Sequence, residues 1–147
     1  MKVLFLTQIL PYPPNAGPRV KTWHVLRHLA LKGAEITLLT FIRPEEQEFI
    51  AEVRKIIPNV ITVPIHRNRI QDVGYLVKAI LKRQSFLVTR DDLQSMRNAV
   101  SSLCKEQVFD IVHADQLTMA QFAWQARQIQ LQRNVPAPKI IFDAHNA

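Results

Sequence analysis

The sequence predicts an α/β domain, a doubly wound parallel sheet with helices on both faces. Short apolar runs of strand length alternate with stretches of helical periodicity. The strand runs are almost continuously apolar, as expected of parallel strands covered on both sides. The 147 residues are 48% hydrophobic and 21% charged, the composition of one packed globular domain.

The elements follow in order. KVLFLT (Lys2–Thr7) reads as a buried strand and runs into a Pro-rich loop, QILPYPPNAGP. Pro18 at the head of the next segment and Gly33 just past its end bracket a helix with Trp23, Leu26, Leu29 and Ala30 on its apolar stripe. AEITLLTF (Ala34–Phe41) is the second strand. Pro44 opens a second helix. It carries Glu45 and Glu46 early and Arg54 and Lys55 late, as the helix dipole favours. Phe49, Val53 and Ile56 form its inner face, and Pro58 stops it. NVITVP (Asn59–Pro64) is the third strand.

A basic stretch, 66–83, reads as loop plus amphipathic helix. Thr89 with Asp92 has the spacing of a capping box, and Leu93, Met96, Val100, Leu103 and Cys104 then recur at helical spacing. FDIVHA (Phe109–Ala114) is the fourth strand. Thr118 with Gln121 reads as a second capping box and Leu117 with Phe122 as a hydrophobic staple. Met119, Phe122, Ala123, Ala126 and Ile129 are the stripe of the helix they begin. KIIFDA (Lys139–Ala144) is the fifth strand. The sequence stops three residues later, before a covering helix, as expected of a fragment.

No apolar run approaches the roughly 20 residues of a membrane-spanning helix. Val3 to Leu6 is too short for a secretory h-region. The single cysteine, Cys104, excludes an internal disulfide and a multi-cysteine zinc site. These features set the expectation of a cytoplasmic protein. Lys and Arg number 19 against 12 Asp and Glu, a net charge of +7 that suits an anionic partner. The excess is patchy. Arg67, Arg69, Lys78, Lys82 and Arg83 face Asp72 alone within 66–83. Ile70, Val73, Val77 and Ile80 gather on the other side, the pattern of a helix on an anionic membrane surface or of a solvated face over a core stripe. Only Tyr75 interleaves these cations, which argues against nucleic acid.

In open α/β sheets, ligands bind beyond the carboxyl ends of the strands. Three polar clusters fall there: Asn15, Gly17 and Arg19 in the first loop; His113, Asp115 and Gln116; and Asp143, His145 and Asn146. Gly17 either lets an anion approach backbone N–H groups at a helix head or supplies a loop conformation with positive φ. His113 reads as a site residue or as a partly buried histidine. Asp115, placed in the loop after the fourth strand, reads as a site carboxylate or a turn aspartate. His113, Asp115, Asp143 and His145 contain no i,i+4 ligand pair on a helix, so no metal is expected.

Three segments together resemble the N-terminal domain of family-4 glycosyltransferases of the GT-B fold. They are MKVLFLTQILPYPPNAGPRVKTWHVLRHLALKGAEITLLTF, FDIVHADQLTMAQFA and the FDAHNA strand end. The resemblance implies a Rossmann-like acceptor-side domain, 1–147, and a second domain outside this sequence that binds most of the nucleotide-sugar and carries a Glu-x7-Glu signature. It also implies that Gly17 approaches the donor diphosphate or acceptor, and that His145 and Asn146 line the cleft. Asp115 stands where several relatives have a histidine near the reacting sugar. The expected activity is retaining transfer of a sugar from a nucleotide-sugar donor to a saccharide or lipid-linked acceptor, in surface polysaccharide or glycolipid synthesis. Asp115 would be catalytic and Asn15, Gly17, Arg19, His113, His145 and Asn146 substrate-binding. No cofactor is expected beyond the donor itself, and the isolated domain is expected to be inactive. The rival reading is a non-enzymatic α/β module that docks to an anionic surface or a protein partner.

Overall fold

Five parallel strands in the order β3-β2-β1-β4-β5 form the central sheet. They are β1 (Lys2–Thr7), β2 (Glu35–Ile42), β3 (Asn59–Pro64), β4 (Ile111–Asp115) and β5 (Lys139–Asp143). The structure, a computed structural model, describes residues 1–65 and 86–144. His145, Asn146 and the basic residues Arg67, Arg69, Lys78, Lys82 and Arg83 lie outside the described residues. The described helices are α1 (Gly17–Leu31), α2 (Ile50–Arg54), α3 (Phe86–Asp91), α4 (Gln94–Glu106) and α5 (Leu117–Gln132).

Side chains alternate across each strand, so the sheet builds two cores. On one face Val3, Phe5, Leu38 and Val60 pack against Trp23 and Leu26 of α1 and Val53 of α2. On the other, Leu4, Leu6, Leu39 and Val112 pack against Met96, Val100 and Leu103 of α4 and Met119, Phe122 and Ala126 of α5. The stripes read from the sequence in α1, α4 and α5 therefore point inward. The strand order reverses between β1 and β4, which opens a crevice at their carboxyl ends.

Several local readings are corrected. The helix expected from Pro44 is a 3-10 turn, Pro44–Phe49, followed by the short α2. Thr89 is no cap: it lies inside α3, and α4 starts after Leu93. α5 begins at Leu117, so Thr118 sits in its first turn and the N-cap is Gln116, which makes no side-chain cap bond. Gln121 turns instead to the carbonyls of Thr118 and Val88, each at 3.1 Å. The staple does not form either, since Phe122 is buried and Leu117 is 57% exposed. β4 starts two residues later than expected and runs one residue further, which makes Asp115 a strand residue.

Candidate functional site

Register brings five polar residues into one row. Thr62 pairs with Thr40, Thr40 with Thr7, Thr7 with Asp115 and Asp115 with Asp143, so each strand contributes one residue at the same level. Two residues back on the same face, the row is Val60, Leu38, Phe5, His113 and Ile141. Alternation puts both rows on the side covered by α1. The hydrophobic core therefore ends at a polar shelf along the carboxyl edge, and His113 marks the transition. Its ring stacks on Phe5, with centroids 4.2 Å apart and planes 9° from parallel.

The first turns of α1 lie over this shelf. Thr22 Oγ1 is 2.9 Å from Asp115 Oδ2 and 2.9 Å from the Pro18 carbonyl. One hydroxyl proton thus serves two acceptors. Lys21 Nζ lies 2.5 Å from Asp143 Oδ1. Thr7 is fully buried beside Asp115, and its hydroxyl has no partner among the described residues. Asp115 is only 2% exposed and His113 7%. Ligand atoms of His113, Asp115 and Asp143 all lie within 4.8 Å of one another. That is the donor set a single divalent cation would use, but the Lys21 ammonium already sits against one of its carboxylates, Asp143.

The loop from β1 to α1 is pinned at several points. Gln8 Nε2 donates to Asp91 Oδ2 at the end of α3. Leu10 is fully buried, and Tyr12 packs edge-on against Trp23, 5.2 Å between centroids. The head of α1 has Ala16 as N-cap with no side-chain cap, so its first N–H groups point outward, where the helix dipole favours an anion. Gly17 is the first helical residue. Its φ lies outside the left-handed region, and a Cβ built there meets nothing within 4 Å. The positive-φ reading of Gly17 is thereby removed.

The structure brings His113 and Asp115 together with Asp143, and places Gly17 at the helix head above them. Asn15 is exposed in the loop, its N–H donating to the Pro13 carbonyl. Arg19 is engaged elsewhere: it pairs at 2.5 Å with the buried Glu46, which also accepts the Arg43 N–H, and so ties α1 to the 3-10 turn. The sequence reading missed Thr7, Lys21 and Thr22. The signal was available for Thr7, a polar residue ending an otherwise apolar strand. For Lys21 and Thr22 it was not, because their role depends on how α1 crosses the sheet.

These features define an all-parallel, Rossmann-like α/β domain with its polar edge under the head of its first helix. The chain matches no protein-family model and no curated protein. Among solved structures its fold is similar to the C-terminal domain of a hydrogenase from Pyrococcus furiosus. One structure of that domain has a TM-score of 0.58 at 15% identity and covers 97% of this chain and 90% of that one. A second gives 0.56 at 16% with the same coverage. A protein from Listeria monocytogenes named as a UDP-N-acetylglucosamine 2-epimerase aligns at a TM-score of 0.44 and 15% identity, over 92% of this chain and 29% of its own length. These likenesses concern the fold.

Proposed function

We propose that the domain forms the acceptor-side wall of a retaining glycosyltransferase that uses a nucleotide-sugar. The polar shelf carries this reading. Asp115, His113 and Asp143 converge at the sheet's switch point beneath an uncapped helix head, in two segments that resemble the family, with Asp115 standing where several relatives have a histidine. Asp115 would accept a hydrogen bond from an acceptor hydroxyl and draw on its proton, with Thr22 holding the carboxylate in place. The α1 N–H groups would stabilise negative charge on a phosphate of the donor or of a lipid-linked acceptor. The domain's contribution is then orientation and electrostatics. A second domain would hold most of the donor and exclude water, so the isolated chain would bind ligand without turnover. The basic stretch 66–83, outside the described residues, has the charge to favour an anionic lipid surface, which suits a lipid-linked acceptor.

A second reading has its own support. Both carboxylates already contact α1 through Thr22 and Lys21, which fits a structural latch in a binding module. Amide chemical-shift mapping of the chain with saccharides, nucleotide-sugars and polyprenyl phosphate separates the two. The glycosyltransferase reading predicts shifts at Gly17, Thr22, His113 and Asp115. Shifts confined to other surfaces, or none with any ligand of these classes, would count against it.

A further inference from the structure

We propose that the polar shelf holds one divalent transition-metal ion, with His113, Asp115 and Asp143 as its ligands. One ligand atom from each lies within 4.8 Å of the other two. Around a tetrahedral ion with bonds of about 2.1 Å they would lie roughly 3.4 Å apart, and the broad χ2 torsions of Asp and His allow that contraction. An i,i+4 pair on a helix is one way to gather ligands. Strand geometry does it here. His113 and Asp115 stand two residues apart on β4, hence on one face, and Asp143 is the register partner of Asp115 on β5.

The surroundings favour a cation. Register sets two carboxylates side by side, and Asp115 is only 2% exposed, so little water screens their repulsion. Lys21 offsets part of that charge, with its ammonium 2.5 Å from Asp143 on a side chain that is 48% exposed. An ion pair this exposed contributes little, so the lysine can swing into solvent. Lys21 thus stands in for the charge of the metal and is displaced by it.

The ligands are also held as metal ligands are. Thr22 Oγ1, 2.9 Å from Asp115 Oδ2, fixes the carboxylate, and the stack on Phe5 fixes the His113 ring. Thr7 is the independent sign. It is fully buried on the same face, one strand from Asp115, and its hydroxyl has no partner among the described residues. A buried hydroxyl without a partner is costly, and a water on the ion supplies one. The imidazole selects the class of ion. Mg²⁺ and Ca²⁺ take oxygen ligands, whereas one nitrogen with two carboxylates suits Zn²⁺, Fe²⁺ or Mn²⁺.

Calorimetric titration of Zn²⁺ into the metal-free 147-residue chain tests this. His24 and His28 are exposed at i,i+4 on α1 and can bind Zn²⁺ by themselves, so the titration uses a His28→Gln background. One Zn²⁺ per chain is expected, with a melting temperature that rises with Zn²⁺ and much weaker binding of Mg²⁺. Affinity should fall by about tenfold or more in Asp115→Asn and in Thr7→Val, and should rise in Lys21→Gln. Thr7→Val removes a hydroxyl that the fold leaves unpaired, so its metal-free melting temperature should not fall. That variant keeps the test decisive where Asp115→Asn disturbs the fold. Absence of Zn²⁺ binding in the His28→Gln background, Mg²⁺ binding as tight as Zn²⁺, affinity unchanged in both Asp115→Asn and Thr7→Val, or affinity lowered in Lys21→Gln would overturn the proposal. Zn²⁺ binding without binding of any saccharide or nucleotide-sugar would keep the metal site and remove the glycosyltransferase reading, so the two fail separately.

Discussion

Gln130 is fully buried on the inner face of α5, where the periodic pattern calls for an apolar residue. Its amide oxygen accepts the Phe109 N–H at 2.8 Å, and its amide nitrogen donates to the carbonyls of Phe109 and Pro136. It thereby fixes where β4 begins relative to the helix that follows it. Gln130→Leu keeps the volume but leaves the Phe109 groups buried without this partner, which should cost about 3 kcal/mol in urea denaturation. A loss below 1 kcal/mol would show that the backbone finds other partners. Cys104 is a second buried residue with a measurable signature. Burial pushes its thiol from 9.0 up to about 11, against a smaller opposing effect of Arg133. The folded state thus holds its proton where the unfolded state has lost it. Stability should fall between pH 9 and 11 by at most about 1.4 kcal/mol per pH unit, and not at all over that window in Cys104→Ala after subtraction of other groups. Native Cys104 should also resist alkylation at neutral pH. Neither residue's role was legible in sequence, because periodicity reports burial and says nothing about which buried groups need a partner.

The strands were legible nearly to the residue. β1 and β3 fall on their expected spans because each is a short apolar run closed by a loop or a proline. Helix starts were less so. Both Thr-based capping boxes failed, since Thr89 and Thr118 are buried within helices and their hydroxyls make no cap. A capping-box pattern states only that a cap is sterically available, and tertiary packing decided otherwise here. The glycines of α1 separate the same way. Gly33 follows the helix at φ +79°, where a side chain is strained, whereas Gly17 sits in open space with ordinary φ. Gly33→Ala should therefore lower stability by about 1 kcal/mol and Gly17→Ala should leave it nearly unchanged. Equal losses in thermal unfolding would remove the distinction. If Gly17 matters, it matters for what approaches the helix head, and Gly17→Val should weaken ligand binding without weakening the fold.

At the scale of the molecule, the polar shelf is a property of register. Thr62, Thr40, Thr7, Asp115 and Asp143 are scattered over more than half the chain, and only parallel pairing aligns them. Sequence alone found Asp115 and His113 by their place near a strand end, but put Asp115 in a loop. It could not find the row, since the row requires knowing that β1 lies between β2 and β4. Exposure of Ile141 and Phe142 on β5, at 43% and 46%, shows that this strand is only partly covered among the described residues. In the proposed function Asp115 serves a ligand hydroxyl and is not a latch for α1. The most direct measurement is calorimetric titration of an acceptor that binds the wild-type chain into the Asp115→Asn variant, with thermal unfolding in parallel. Asn keeps an acceptor oxygen for Thr22, so the melting temperature should stay close to wild type while acceptor affinity falls at least tenfold, about 1.4 kcal/mol. Wild-type affinity in a variant that has lost stability would contradict the claim and make Asp115 part of the scaffold.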